Sequence, residues 1–179
     1  PKSYETPGGP HASLEFFRPA PDGRHAVAGL AKGGSEITTL FVRDLASGKD
    51  LPDSIDRIET AYNDPQWLPD SSGFFYSRRK PLPPGTPASE TYQFTTAFLH
   101  RLGQPVAQDT AIFGVGLAPG VPFAPMDFPS VWTFPGSDFV IGQIHHGDSL
   151  ELSLYAARLD GLGAKSIAWK KICDLGDSV

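Results

Sequence analysis

Polar turns and nearly continuous apolar runs alternate along this chain in a unit that recurs three times. In the first copy Phe16-Phe17 leads to the turn Pro21-Asp22-Gly23-Arg24, then to Ala26-Val27-Ala28-Gly29-Leu30-Ala31. After Lys32-Gly33-Gly34-Ser35 comes a second run, Ile37 to Leu45, and Ala46-Ser47-Gly48-Lys49 opens a short third one. The second copy places Gln66-Trp67-Leu68 before Pro69-Asp70-Ser71-Ser72-Gly73, Phe74-Phe75-Tyr76-Ser77-Arg78, Tyr92 to Leu102 and Thr110 to Val115. The third places Val131-Trp132-Thr133-Phe134 before Pro135-Gly136-Ser137-Asp138, Phe139 to Ile144, Leu150 to Leu159 and Ser166 to Cys173.

Each Pro-Asp-Gly-like tetrapeptide presets one backbone angle with proline and relieves a positive one with glycine or aspartate, so it reads as a tight turn between antiparallel strands. Runs such as Thr39-Leu40-Phe41-Val42 and Phe139-Val140-Ile141 do not alternate with polar residues, as expected of sheets covered on both faces. Short four-stranded antiparallel sheets covered by their neighbours predict an all-β fold, a partial β-propeller of about three blades. The whole chain, 1–179, is assigned to part of one such domain, with blades at about 14–60, 61–117 and 128–179. Strands are expected at Arg24–Ala31, Ile37–Leu45, Phe74–Arg78, Tyr92–Leu102, Phe139–Ile144 and Leu150–Leu159, paired with their neighbours in sequence. Lys80 to Glu90 and Ala118 to Pro129 are too rich in proline to pair and read as loops. A β-sandwich also uses short strands, but the recurrence of whole units favours the propeller.

Composition narrows the function classes. Hydrophobic residues at 40% of the 179 supply a core, which excludes disorder along the whole chain. Fifteen Lys+Arg against twenty Asp+Glu leave a net charge of −5, which argues against nucleic acid and membrane surfaces as partners. The single cysteine, Cys173, cannot form an internal disulfide and reads as a small core residue. No pattern calls for a cofactor.

The sharpest local lure is Gly147-Asp148-Ser149-Leu150, which spells the nucleophile signature of GDSL esterases. A serine nucleophile needs a base, yet no histidine follows Ser149 and Asn63 is the only asparagine, so a hairpin turn is the better reading. His145, His146 and Asp148 invite a metal site, but adjacent strand residues point to opposite faces, and they read as solvated hairpin residues. His11, His25 and His100 are isolated and read as surface or strand residues. Arg78-Arg79-Lys80 and Lys170-Lys171 lack interleaved aromatics and read as solvated sheet edges. Nucleophile-elbow, phosphate-loop and dinucleotide fingerprints are all absent. Catalytic, cofactor and metal residues are therefore expected to be none in this chain.

The stretch from Pro21-Asp22-Gly23-Arg24 to Gly33-Gly34-Ser35-Glu36, then Val42-Arg43-Asp44-Leu45, Gly48-Lys49-Asp50-Leu51-Pro52, Trp67-Leu68-Pro69-Asp70 and Gly73-Phe74-Phe75-Tyr76-Ser77-Arg78, resembles the early propeller blades of prolyl oligopeptidase. The resemblance is strong from Asp22 to Gly103 and weaker beyond, where Phe113 to Phe128 departs from the family's pattern. It implies a propeller segment of a serine peptidase whose C-terminal α/β-hydrolase domain carries the triad and cleaves short peptides after proline. No triad position of that domain has a match here. The implied role is non-catalytic: the propeller covers the active site and limits access to short proline-containing peptides. The alternative is a stand-alone propeller used as an interaction module. Because each blade buries its faces on its neighbours, open faces are expected to promote self-association, with Phe139, Ile141 and Leu154 near one end and Phe16, Phe17 and Leu40 near the other.

Overall fold

The computed structural model describes residues 4–5, 7–35, 37–62 and 64–177. Glu36 and Asn63, named above, and the two ends of the range 1–179 lie outside the described residues. Among the described residues twelve strands form, every pairing is antiparallel, and helix is limited to short 3-10 turns. The first meander is β1 (Ala12–Pro19), β2 (His25–Lys32), β3 (Thr38–Asp44) and β4 (Asp50–Ile58). The second is β5 (Gln66–Trp67), β6 (Gly73–Arg78), β7 (Thr96–Arg101) and β8 (Thr110–Phe113). The third is β9 (Asp127–Thr133), β10 (Phe139–His146), β11 (Leu152–Arg158) and β12 (Lys170–Cys173).

The three recurring turns solve one problem in three ways. Gly23, Ser71 and Gly136 each take a positive φ, of 69°, 60° and 78°. Asp22 Oδ1 accepts the Arg24 N–H and Asp70 Oδ1 the Ser72 N–H, while in the third turn Ser137 Oγ accepts the Phe139 N–H. The reversal is therefore held by a local side-chain oxygen whether or not glycine is present.

Two expectations change. The strand foreseen from Tyr92 begins only at Thr96, because Phe94 adopts φ 59° and its N–H bonds the Pro125 carbonyl, which turns the segment toward the loop before β9. The short run after Lys49 is instead the nine-residue β4, whose last residue, Ile58, pairs with Thr38 of β3 on one side and Arg78 of β6 on the other. The first two meanders thus merge into one eight-stranded sheet, while the third forms a separate four-stranded one.

The core lies in two seams. In the first, Phe16, Leu40, Val42 and Ile55 of the first meander meet Trp67, Phe74 and Tyr76 of the second. In the other, Phe75, Leu99, Ile112 and Phe113 meet Val131, Val140, Ile144, Tyr155 and Trp169. Strand β6 feeds both: Phe74 and Tyr76 point one way, Phe75 and Ser77 the other. Phe16 and Leu40, expected near an open end, are buried in the first seam, whereas Phe17 is exposed. At the other end Phe139 is exposed, and Ile141 and Leu154 are partly so.

Each seam uses a glycine in mid-strand to admit a ring. A Cβ on Gly29 would lie 2.2 Å from Phe16 Cε1; one on Gly142 would lie 2.8 Å from Phe113 Cζ and 2.9 Å from Trp169 Cζ3. Gly29→Ala and Gly142→Ala should each lower stability by about 1–3 kcal/mol in urea denaturation, the cost of forcing an extra carbon into packed rings. Gly163→Ala, whose Cβ would meet nothing within 4 Å, is the matched control. Equal stability of all three variants would show that the rings slide aside freely.

Candidate functional site

A strip of charged, aromatic and imidazole side chains runs along the edge where the three meanders converge. Its first members sit where β4 crosses to β6. Glu59 N–H bonds the Ser77 carbonyl and Arg79 N–H the Arg57 carbonyl, each at 2.9 Å, which brings the two side chains together. Arg79 Nε donates to Glu59 Oε2 at 2.6 Å with both side chains buried. Arg79 Cζ lies 4.4 Å from the centroid of the Tyr92 ring. Tyr92 meets Phe128 edge-on at 6.4 Å, Phe128 meets Tyr62 at 4.9 Å, and Tyr62 stacks on His145 at 4.5 Å. The strip thus joins the β4–β5 connection, the β6–β7 loop, β9 and β10. A cavity of about 550 Å³ opens beside it, with Glu15, Thr38, Thr60, Arg79 and Tyr92 among its walls.

The environment tunes two groups here. Burial, and then the adjacent His146, pulls the His145 imidazole below its ordinary value, and its Nδ1 is buried without a hydrogen-bond partner among the described residues. Burial, and then the Asp148 carboxylate, pushes the Tyr62 phenol up; its hydroxyl lies 3.4 Å from Asp148 Oδ1. The strip thus runs from a buried ion pair through a chain of ring contacts to an imidazole.

The residues weighed from sequence now have places. Ser149 lies in the β10–β11 turn, where its N–H bonds the His146 carbonyl and its hydroxyl donates to Glu151, consistent with a hairpin. His145 and His146 do point to opposite faces, but neither is simply solvated. His145 stacks on Tyr62, and His146 bonds Asp127 at 3.0 Å and Ser153 at 2.8 Å. His100 is a strand residue, almost fully buried, with Nδ1 2.8 Å from Asp109 Oδ1; Tyr76 donates to the other oxygen of that carboxylate at 2.7 Å. His11 is exposed and His25 lies 4.0 Å from Asp44. Cys173 is only partly buried, beside the exposed lysines of β12.

The reading of Arg78-Arg79-Lys80 as a solvated edge is corrected. Arg78 pairs with Asp56, Arg79 is buried on Glu59, and Lys80 pairs with Glu90 over the Phe94 ring. Sequence reasoning missed this because Glu59 and Arg79 meet only through the β4–β6 crossing, which no local pattern announces. It also missed the Asp127, His146 and Ser153 contacts, although the β9–β10 register could have suggested the first.

Residues 6–119 match the sequence model of a family described as prolyl oligopeptidase, N-terminal β-propeller domain. Prolyl oligopeptidase A of Galerina marginata is 29% identical over 118 residues, covering 57% of this chain and 16% of that protein. Prolyl oligopeptidase B of Galerina marginata, solved with a 35mer substrate bound, superposes with a TM-score of 0.81 at 19% identity, covering 97% of this chain and 24% of the other. A solved prolyl endopeptidase superposes with a TM-score of 0.75 at 24% identity and the same coverage. The superpositions establish the fold as part of a β-propeller. This chain spans 16% of the curated relative and 24% of these solved chains.

Two measurements probe the strip. Glu59→Leu should destabilise the chain by about 3–5 kcal/mol, because it strands the buried Arg79 guanidinium. Adding Arg79→Leu should recover much of that loss, and a strictly additive double variant would show that the pair is not coupled. The second concerns acid. Because His145 binds its proton less readily when folded, the unfolded chain takes up more protons below the ordinary imidazole value of 6.5, and stability falls as the pH drops from there through the lowered folded value. His145→Gln should flatten that acid loss below about pH 6.5 in pH-dependent denaturation; an unchanged slope would show that burial does not perturb His145.

Proposed function

Because this chain belongs to the prolyl oligopeptidase family, as part of its N-terminal β-propeller domain, we propose that it forms a non-catalytic wall over the active site of a parent serine peptidase. The observation that carries this reading is the match of residues 6–119 to that domain, supported by superposition of nearly the whole chain on prolyl oligopeptidase B. Its partner in this reading is the C-terminal α/β-hydrolase domain of the parent, and its substrates are short peptides containing proline. The wall acts by sterics: an extended peptide passes, while a folded protein would have to unfold or force the sheets apart. The strip from Arg79 to His145 braces the meeting edge of the meanders, which keeps the wall from parting as a peptide passes.

The exposed face of the third sheet, with Phe139 and Ile172, would dock further blades of the parent or, in the isolated chain, a second copy. If the chain instead serves as a stand-alone interaction module, no hydrolase domain accompanies it.

The test uses the parent protein. It should cleave a short proline-containing peptide roughly a hundredfold faster than the same sequence displayed on a folded carrier, about 2.7 kcal/mol in barrier. Gly142→Ala, which crowds the second seam, should narrow that ratio. Equal rates on the two substrates would overturn the access-limiting role, and a parent without a hydrolase domain would leave the interaction module.

A further inference from the structure

The third meander carries a second group of reactive side chains, separate from the strip and independent of the family reading. Asp127 opens β9, His146 closes β10, and Ser153 is the second residue of β11. The registers pair Asp127 with His146 and Ile144 with Ser153, so the two-residue alternation of strands puts all three side chains on one face. There Asp127 Oδ1 lies 3.0 Å from His146 Nδ1, and His146 Nε2 lies 2.8 Å from Ser153 Oγ. Asp127 and Ser153 are both buried.

The order of contacts fixes the direction of proton flow. Asp127 Oδ2 accepts the Ala124 N–H at 2.7 Å, which holds the carboxylate with Oδ1 toward the ring. A carboxylate only accepts, so the His146 tautomer that donates from Nδ1 to Asp127 turns its Nε2 lone pair to the Ser153 hydroxyl. Carboxylate, oriented imidazole and hydroxyl in this sequence are what activates a serine nucleophile. A purely structural staple would need the same bonds but no access. Here a cavity of about 480 Å³ has His146, Ser153, Tyr155, Lys171 and Asp174 on its wall. Its size falls in the range of small-ligand sites.

We propose that Ser153 is the nucleophile of a second acyl-transfer site that accepts small uncharged carboxylic esters. Ser153 Oγ bonds to the ester carbonyl carbon while its proton passes to His146 Nε2. The electron pair displaced onto the carbonyl oxygen returns as the carbon–oxygen bond to the alcohol breaks, and His146 returns the proton to the departing alkoxide. Water then attacks acyl-Ser153 by the same route, and the sum is ester plus water giving acid plus alcohol. Lys171, paired with Asp174 on the cavity wall, provides the cation toward which the carbonyl oxygen's developing charge is drawn. The carboxylates of Asp127 and Asp174 disfavour an anionic acyl group. Ser153 lies near the start of β11 rather than on an exposed elbow, so turnover is slow and acylation is the sensitive readout.

The experiment incubates the 179-residue chain, at temperatures below its cooperative melt, with a fluorophosphonate and separately with 4-nitrophenyl acetate. Adducts are mapped by peptide mass spectrometry. The fluorophosphonate adduct, formed as an Oγ–P bond replaces P–F, should map to Ser153. His146→Gln should slow its formation about a hundredfold and Asp127→Asn at least about tenfold. Ser149→Ala should leave the rate unchanged, and Ser153→Ala should abolish both the adduct and the excess release of 4-nitrophenol. An unlabelled Ser153 in the folded wild-type chain would overturn the proposal. So would labelling that proceeds equally in His146→Gln, since the hydroxyl would then be merely accessible. Both decisive results remain readable if Ser153→Ala fails to fold.

Discussion

Strands packed on both faces have no side to give to water, and β6, in the second meander, is such a strand. Strand β6 puts Phe74 and Tyr76 into one seam and Phe75 and Ser77 into the other, and all four are buried. Close approach on both sides follows from what sits opposite: Gly29 beneath the Phe16 ring, Gly142 beneath Phe113 and Trp169. Three polar groups are carried into these seams together with a partner from the neighbouring meander. Trp67 Nε1 donates to the Arg18 carbonyl, Ser77 Oγ to the Pro129 carbonyl and Trp169 Nε1 to the Ile112 carbonyl, so each bond stitches one meander to the next. Burial, and then the Asp109 carboxylate, pushes the Tyr76 phenol well up, which keeps this hydroxyl a donor within the first seam.

The convergent edge follows from the same packing. Once β4 crosses to β6, Glu59 and Arg79 are carried into the seam together, and their pairing offsets the desolvation that either would suffer alone. The charge then hands over to rings, from Tyr92 through Phe128 to Tyr62 and His145, which ties four separate segments together.

Much of the fold was legible in the sequence because its signals are local. Pro-Asp-Gly-like turns and unbroken apolar runs report what a segment does within about ten residues. Their recurrence located the meanders, and β2, β3, β6 and β10 lie within a residue or two of expectation. What failed was non-local. Nothing near Phe94 marks its left-handed backbone, which depends on a carbonyl at Pro125. Arg78-Arg79-Lys80 looks like a solvated edge until Asp56, Glu59 and Glu90 arrive from other segments. The candidate sites were legible only as single residues: His145 and His146 drew notice as a pair, but their partners Tyr62, Asp127 and Ser153 come from three different strands or connections.

The placement of indoles gives the protein a built-in optical readout. Trp67 lies in the first seam in contact with Phe74, and Trp169 lies in the second against Phe113, while Trp132 sits on β9 away from both core clusters. Replacing two of the three with phenylalanine would leave a single emitter at a chosen junction. Loosening of one meander against the next could then be timed separately from loss of the strands themselves, so that sliding between sheets and melting within them become distinguishable kinetic events.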